Sequence, residues 1–372
     1  MRTEPSPDSS ADNQLSLFIP TKDRSAFLSR LLEFYAAGQL GCTIHIGDAS
    51  ENLEELEKNQ KATARFQNSL KIHYEKHAPG ITTVASVHRL LEKIETPYAV
   101  FCGDDDYLLP KQLRQCVRFL QDHPDYSSVT GDQAEVFVEL EEGNSNMKIV
   151  EILPGAHKEA SQQLPSQRLL KWAYPAIGKN TFSVQPISAM RWAWEETAKL
   201  KLDTKPYAPL HELSVNVLTV LRGKQKHLKG LYHVMLRHTQ KTGFSGPIDY
   251  FDRISHWDWP SKVVPAIDCW IEHILQSEKT LQPEAARRIA ETALLQWLIP
   301  FLARNRDRKL KQFGLAAAPL SLRQRLSKIG FVRASACLIL RKSDISKRSF
   351  LNPVGSYHRE FEPIQRILCS SN

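Results

Sequence analysis

The chain has 372 residues, 42% of them hydrophobic and 24% charged, with a formal net charge of +8. That length and balance suit a soluble globular protein of two domains, or of one large domain with an appendage. No apolar run reaches the roughly 18–20 residues that span a bilayer, and the polar start, Met1 to Asn13, lacks the apolar stretch of a signal peptide, so a cytoplasmic protein is expected.

The six cysteines (Cys42, Cys102, Cys116, Cys269, Cys337 and Cys369) form no Cys-x-x-Cys pair. They read as small hydrophobes of a reducing compartment, not as disulfides or zinc ligands. The positive charge is local. Between Arg304 and Arg348 thirteen Lys/Arg face only Asp307 and Asp344, which leaves the rest of the chain net acidic.

Residues 1–13 read as a disordered lead. Leu15 to Ile19 is a short strand that ends in Pro20-Thr-Lys-Asp-Arg24. A helix follows with Phe27, Leu28, Leu31, Leu32 and Tyr35 on one face, and Gly38 and Gly41 close it. Cys42 to Ile46 is a second strand, ending in Gly47-Asp48-Ala49-Ser50. After a charged helix, Leu70 to Tyr74 is a third strand, and Ile81 to Ile94 is helical. A fourth strand, Tyr98 to Cys102, stops at Asp104, Asp105 and Asp106, and Pro110 opens a helix carrying Leu113, Cys116, Val117 and Leu120.

Strand–helix alternation of this kind predicts an α/β fold with a parallel sheet under helices. In such sheets ligands bind at the carboxyl ends of the strands. Three adjacent carboxylates repel one another, and nothing basic lies beside them in sequence. Hard oxygens clustered there suit Mg²⁺ or Mn²⁺ shared with a substrate's phosphates. Read alone, the triplet also fits a solvated acidic turn.

Beyond Pro124 the pattern changes. Val136 to Val138 and Lys148 to Leu153 alternate around Gly143-Asn144 and read as a β-hairpin. Gln162 to Tyr174, Ile187 to Lys199 and Leu210 to Leu221 are helical, and Leu231 to Leu236 is a strand. A boundary is expected near Ser245-Gly246-Pro247, after which the chain is predominantly helical.

Taken together, the strand ends resemble family 2-type glycosyltransferases of the GT-A fold. The resemblance rests on Leu15 to Arg24, Ile44 to Ser50, Gly103 to Pro110, His211 to Lys224 and Leu231 to His238, and covers residues 14–245. It implies a Rossmann-like mixed sheet flanked by helices, with residues 246–372 as a helical C-terminal region. It also implies that Pro20, Thr21, Asp23, Asp48 and Asp104 contact the donor nucleotide. Asp105 and Asp106 would hold the metal, with His238 as a metal or phosphate ligand, and Arg237 would face the diphosphate. Glu212 stands where the family places its general base.

The chain departs from the family at three points. Glu212 replaces an Asp, His211 replaces the preceding Glu, and Val84-Ala-Ser-Val-His-Arg89 stands where many members carry Ala-Arg-Asn, leaving His88 or Arg89 for that polar contact.

The resemblance implies an inverting, metal-dependent transfer of a sugar from a nucleotide-diphosphate donor to a hydroxyl of a glycan or lipid-linked acceptor, in bacterial surface-polysaccharide synthesis. Two other classes compete. Asp-x-Asp also marks haloacid-dehalogenase-type phosphatases, but there it ends the first strand, not the fourth. A non-catalytic nucleotide-sugar- or nucleic-acid-binding protein is the remaining alternative, and no recognised nucleic-acid motif supports nucleic acid as a partner. Helical spacing assigns Trp172, Trp192 and Trp194 to packing before sugar stacking. Trp257 and Trp259 either seal the domain junction, the preferred reading, or guard the acceptor mouth. The basic segment 304–348 is either a solvated helical surface or one that lies on anionic lipid at the inner membrane face.

Overall fold

The polar lead expected to be disordered is helical over Pro7–Asp12 (α1). Ala11 is buried, and the Asp12 carboxylate accepts from Nε and an Nη of Arg114, each at 2.9 Å. A bidentate pair to a residue about a hundred positions away is invisible to local composition. The computed structural model describes residues 7–140, 146–155, 158–173, 180–202, 204, 207–238, 250–312 and 345–369.

The first sheet is built around β1 (Leu15–Thr21). Its period-two alternation feeds two cores: Leu15, Leu17 and Ile19 enter one and Phe18 the other. Helix α2 (Ser25–Ala37) leads to β2 (Thr43–Asp48), α3 (Leu53–Phe66) to β3 (Lys71–Lys76), and α4 (Thr83–Lys93) to β4 (Tyr98–Phe101). The helix starts are capped as their residues dictate. Asn52 accepts from the Glu54 and Glu55 amides, and Thr82 accepts from the Ala85 amide. These four strands are parallel in the order β3-β2-β1-β4, as the alternation predicts.

A second sheet was not foreseen in full. Strand β4 runs through the acidic triplet into a three-residue strand, β5 (Asp106–Leu108), and then into α5 (Pro110–Asp122). The predicted hairpin is β6 (Tyr126–Leu140) with β7 (Met147–Pro154), antiparallel; its turn residues Gly143-Asn144 lie outside the described residues. Next come α6 (Pro165–Ala173), β8 (Gln185–Pro186), α7 (Ile187–Ala198), α8 (Ala208–Arg222) and β9 (Lys224–Arg237). Strand β8 closes the first sheet antiparallel to β4. Strand β9 is more than twice the length expected, because it pairs β6 in parallel and β5 antiparallel, giving the order β5-β9-β6-β7.

The remaining helices are α9 (Tyr250–Ile254), α10 (Trp259–Ser277), α11 (Pro283–Gln312), α12 (Lys347–Leu351) and α13 (His358–Cys369). They share the cores of residues 14–245. Trp270, Ile274 and Ala290 bury with Trp172, Leu213 and Val217. Phe350, Phe361 and Leu368 return to the core of Leu17 and Ile44. The expected boundary at 245/246 and residues 313–344 of the basic segment lie outside the described residues. No helix among the described residues is long and apolar enough to cross a membrane.

Buried ionic groups fasten α10 to the rest. Glu278, directly beyond α10, accepts from the Ser166 amide at 2.6 Å and the Ser166 hydroxyl at 2.8 Å, so an anion sits at the N-terminus of α6. Arg168 of α6 donates to the carbonyls of Val220 and Leu221 at the end of α8, and to those of Gln162 and Gln163. Glu278→Ala is expected to cost about 1.5–3 kcal/mol in urea unfolding, the scale of hydrogen bonds to a buried charge. Glu278→Gln, which keeps an acceptor, should lose less.

Candidate active site

Register brings the predicted strand ends together. Thr21 is opposite Asp48, and Phe18 is opposite Phe101, so the ends of β1, β2 and β4 form one edge. A cavity of about 360 Å³ opens there. Pro20, Thr21, Asp104, Asp105, Asp106, Glu212 and Arg237 all line it, although Glu212 is more than one hundred residues from the triplet. Its other wall is largely apolar, with Phe101, Phe182, Trp194, Val215 and Leu236.

The triplet has a counter-charge in the protein itself. Arg24 reaches it from the loop after β1, with one Nη 2.8 Å from Asp104 Oδ1 and the other 2.6 Å from Asp105 Oδ2. Thr21 Oγ1 donates to the second Asp104 oxygen at 2.8 Å. His238 Nε2 lies 2.8 Å from Asp105 Oδ2, with its ring stacked on Phe27 at 4.6 Å between centroids. Burial pushes the Asp104 carboxyl up to about 7, with Arg24 opposing. Burial acts on Asp105 too, but the His238 hydrogen bond and Arg24 outweigh it and hold that carboxyl well below its usual range. Asp106 Oδ2 is 3.6 Å from His233 Nε2, outside hydrogen-bond range. A Cβ at Gly103 would meet Asp106 Oδ2 at 2.8 Å and Asp105 Oδ1 at 3.1 Å, so a side chain there would displace these carboxylates.

Three predicted site residues do not face the cavity. Asp48 is fully buried; it accepts from the Ser50 amide at 2.8 Å, Asn59 at 2.8 Å and the Tyr74 hydroxyl at 2.6 Å. Its carboxylate therefore shapes the loop instead of presenting itself to a base. Asp23 takes a left-handed φ of 53° and accepts from the Glu51 and Asn52 amides at 3.0 and 2.9 Å, tying the β1 loop to the β2 loop. The His238 side chain is buried, with Nε2 2.8 Å from Asp105 Oδ2, and is not among the residues that line the cavity. Neither His88 nor Arg89 lines the cavity. Thr82, Thr83 and Ser86 stand on that side, while Arg89 pairs with Glu75.

On the α8 wall, Glu212 is exposed, and Thr181 Oγ1 approaches its carboxylate at 3.4 Å. Asn216 joins the two segments: it accepts from the Asn180 amide at 2.8 Å and donates to the Glu212 carbonyl at 2.8 Å. Arg237 is already bidentate to Glu135, at 2.6 and 3.2 Å. His211 packs against Trp194, and burial, with His88 nearby, holds its pKa down to about 3. Trp172 is fully buried, Trp194 forms part of the cavity wall, and Trp257 is exposed while Trp259 is buried.

Sequence reasoning missed Arg24, Thr181 and Asn216. Arg24 had a signal, being the basic residue that ends the first strand's loop. Thr181 and Asn216 had none.

A hard divalent ion fits this donor set only in part from the protein side. Among the described residues, the three-ligand group with atoms within 4.8 Å of one another is Glu196, Cys269 and His273, away from the cavity, and its carboxylate is held by Lys199 at 2.6 Å. The triplet is not such a group. Asp105 and Asp106 offer carboxylate oxygens at the cavity, which suits an ion that takes one or two carboxylates and completes its shell with phosphates and water.

No protein-family model matches the sequence, and no curated protein sequence matches it. Among solved structures, the chain is similar to S. aureus TarS 1–349, at a TM-score of 0.53 and 13% identity over 95% of this chain and 90% of that one. The complex of TarS 1–349 with UDP-GlcNAc aligns at 0.48 and 13% identity, over 95% and 90%. The mannosyltransferase PcManGT from Pyrobaculum calidifontis, in complex with GDP-Man and Mn²⁺, aligns at 0.42 and 10% identity, over 98% and 87%. The first of these shows a shared fold, a mixed α/β architecture with a helical C-terminal region. The other two fall below a TM-score of 0.5 and add nothing to it.

Asp48→Ala should lower stability by about 2–3 kcal/mol with no nucleotide present, as for a broken buried hydrogen-bond network. Unchanged unfolding with lost nucleotide binding would return Asp48 to a ligand contact. For His211 the folded pKa is the depressed one, so its stabilisation is complete above pH 6.5 and is lost as pH falls toward 3. The acid limb of the stability–pH curve of His211→Asn should be shallower by about 1.4 kcal/mol per pH unit.

Proposed function

We propose that this chain is an inverting, metal-dependent glycosyltransferase that moves a sugar from a nucleotide-diphosphate donor to a hydroxyl acceptor. The observation that carries this reading is the meeting of the acidic loop and Glu212 in one cavity. The departing diphosphate gains negative charge as the glycosidic bond breaks. Mn²⁺ or Mg²⁺, when bound by Asp105 and Asp106 together with the diphosphate, supplies Lewis-acid neutralisation of that charge. Arg24 lines the same cavity with a guanidinium suited to bidentate phosphate contact, and Arg237 lines it with a guanidinium whose Nε and one Nη are held by Glu135.

Glu212 takes the proton of the acceptor hydroxyl as it attacks, which makes the transfer a single displacement with inversion. Its carboxylate is exposed and, among the described residues, has a long contact to Thr181, which leaves it able to receive that proton. The apolar wall of Phe101, Phe182 and Trp194 gives a sugar ring a surface to lie on while its hydroxyls face the polar side. A glycan or lipid-linked acceptor in bacterial surface-polysaccharide synthesis, a cytoplasmic location and contact of 304–348 with anionic lipid rest on the family resemblance and on charge. The competing reading, a nucleotide-sugar-binding protein without transfer, takes its support from the pairing of Asp104 and Asp105 by Arg24.

Thermal melting against a panel of nucleoside diphosphates, with and without Mn²⁺, tests the donor site. A metal-dependent rise with one of them is expected, and no rise with any would remove the basis of the proposal. Glu212→Gln should keep that rise and lose transfer by about 10²–10⁴-fold, the worth of a general base. Full transfer by Glu212→Gln would exclude Glu212 as the base.

A further inference from the structure

Arg24 is held unlike a structural arginine. Arg168, the comparable buried guanidinium, spends Nε, Nη1 and Nη2 on four backbone carbonyls, whose positions no ligand changes. Arg24 instead spends its Nη groups on the Asp104 and Asp105 carboxylates, with His238 Nε2 at 3.3 Å. Its Nε is buried without a hydrogen-bond partner among the described residues. Its guanidinium carbon lies over the face of Phe27, 4.6 Å from the ring centroid. The side chain is 13% exposed and forms part of the cavity wall. What fixes Arg24 is therefore the negative charge of the loop, and that charge is open to competition from any other cation entering the cavity.

Asp105 is the point of conflict. The Oδ2 atom contacted by Arg24 and His238 belongs to a carboxylate that a divalent ion would also use. A guanidinium and a divalent cation cannot both sit against that carboxylate without strong repulsion in so buried a place. A diphosphate changes the balance. It brings pairs of oxygens at a spacing that the planar guanidinium grips bidentately, and these can take Arg24 from the loop.

We propose that Arg24 is a tethered counter-cation that fills the acidic loop when no donor is bound and moves onto the donor's diphosphate when one arrives, so that a divalent ion is admitted with the nucleotide and not before it. This rests on the nucleotide-sugar reading of the cavity. The coupling is reciprocal: whatever factor the nucleotide adds to metal affinity, the metal adds to nucleotide affinity. A protein built this way keeps its acidic loop neutralised and buried between turnovers and does not need bound metal to hold it together.

The test is Mn²⁺ binding to the full chain, read as free Mn²⁺ by electron paramagnetic resonance, first with Mn²⁺ alone and then with saturating UDP or GDP. For the unaltered protein, the nucleotide should tighten Mn²⁺ binding by about 5–150-fold, the usual span of coupling between sites. Arg24→Gln should bind Mn²⁺ alone more tightly than the unaltered protein by about tenfold or more and show a smaller gain from nucleotide. Arg24→Lys, which keeps the charge but not the fork, should fall between the two. If Arg24→Gln binds Mn²⁺ alone no more tightly than the unaltered protein, the proposal is overturned. It is equally overturned if the unaltered protein binds Mn²⁺ alone as tightly as with nucleotide. Should Arg24→Gln fail to fold by circular dichroism, the comparison is made between Asp104→Asn and Asp104→Asn/Arg24→Gln, where the unpaired carboxylate is gone. Failure of UDP and GDP to bind under any condition would sink the nucleotide reading, while the Mn²⁺-alone comparison still decides the role of Arg24.

Discussion

Charge balance at the end of β4 is the constraint on which the site depends. Asp104 is 4% exposed and Asp105 is close to buried, so neither can rely on water for its charge. A buried carboxylate stripped of its partner is costly, by several kcal/mol in general. The protein meets this from both sides of the loop. Arg24 and Thr21 come from the end of β1 in the first sheet, and His238 follows β9 of the second. The loop itself is the link between the sheets, since β4 belongs to one and β5 to the other. The acids therefore both line the cavity and form the joint at which the two sheets are fastened.

That double duty explains a division of labour among the acidic residues at the strand ends. Asp23 and Asp48 look equivalent to the triplet in sequence, as polar stops after buried strands. In the fold Asp23 Oδ1 accepts from two amides of the β2 loop, and both Asp48 oxygens accept, from the Ser50 amide and from the Tyr74 hydroxyl of β3. They hold the edge rigid so that the triplet can be exposed to a cavity without collapsing into it. Asp48 also draws on Asn59 from inside α3, so the helix after β2 is registered to the strand through the same carboxylate.

The fold was legible where the physics is local. Apolar alternation over Leu15–Ile19, the helical spacing of Leu113, Cys116, Val117 and Leu120, and Pro110 at a helix start all follow from chain geometry, and the elements stand where that geometry puts them. What was not legible depends on distant partners. Strand β5 has three residues and no pattern of its own; it exists because β9 pairs with it. The inward turn of Asp48 depends on Tyr74, 26 residues away, and the pairing of Arg24 with Asp104 spans about eighty residues. Meeting of the triplet with Glu212 in one cavity was readable only because a family resemblance supplied the long-range order that periodicity lacks.

The two functional walls of the cavity are anchored in different cores. Cys102, Tyr107 and Leu108, on either side of the triplet, bury with Leu17, Ile44 and the returning Phe350 and Phe361. Leu213 and Val217, flanking Glu212 on α8, bury with Trp172, Trp270 and Ile274 of the helices around them. The C-terminal helices thus enter both cores: α10 packs on α8, which carries Glu212, while α12 packs on β7 and α13 on β7 and α2. A close-packed core transmits displacement with little loss. The separation between the acidic loop and Glu212 is consequently set by how the two cores sit against each other across the first sheet, where Phe18 and Leu17, adjacent on β1, point to opposite sides.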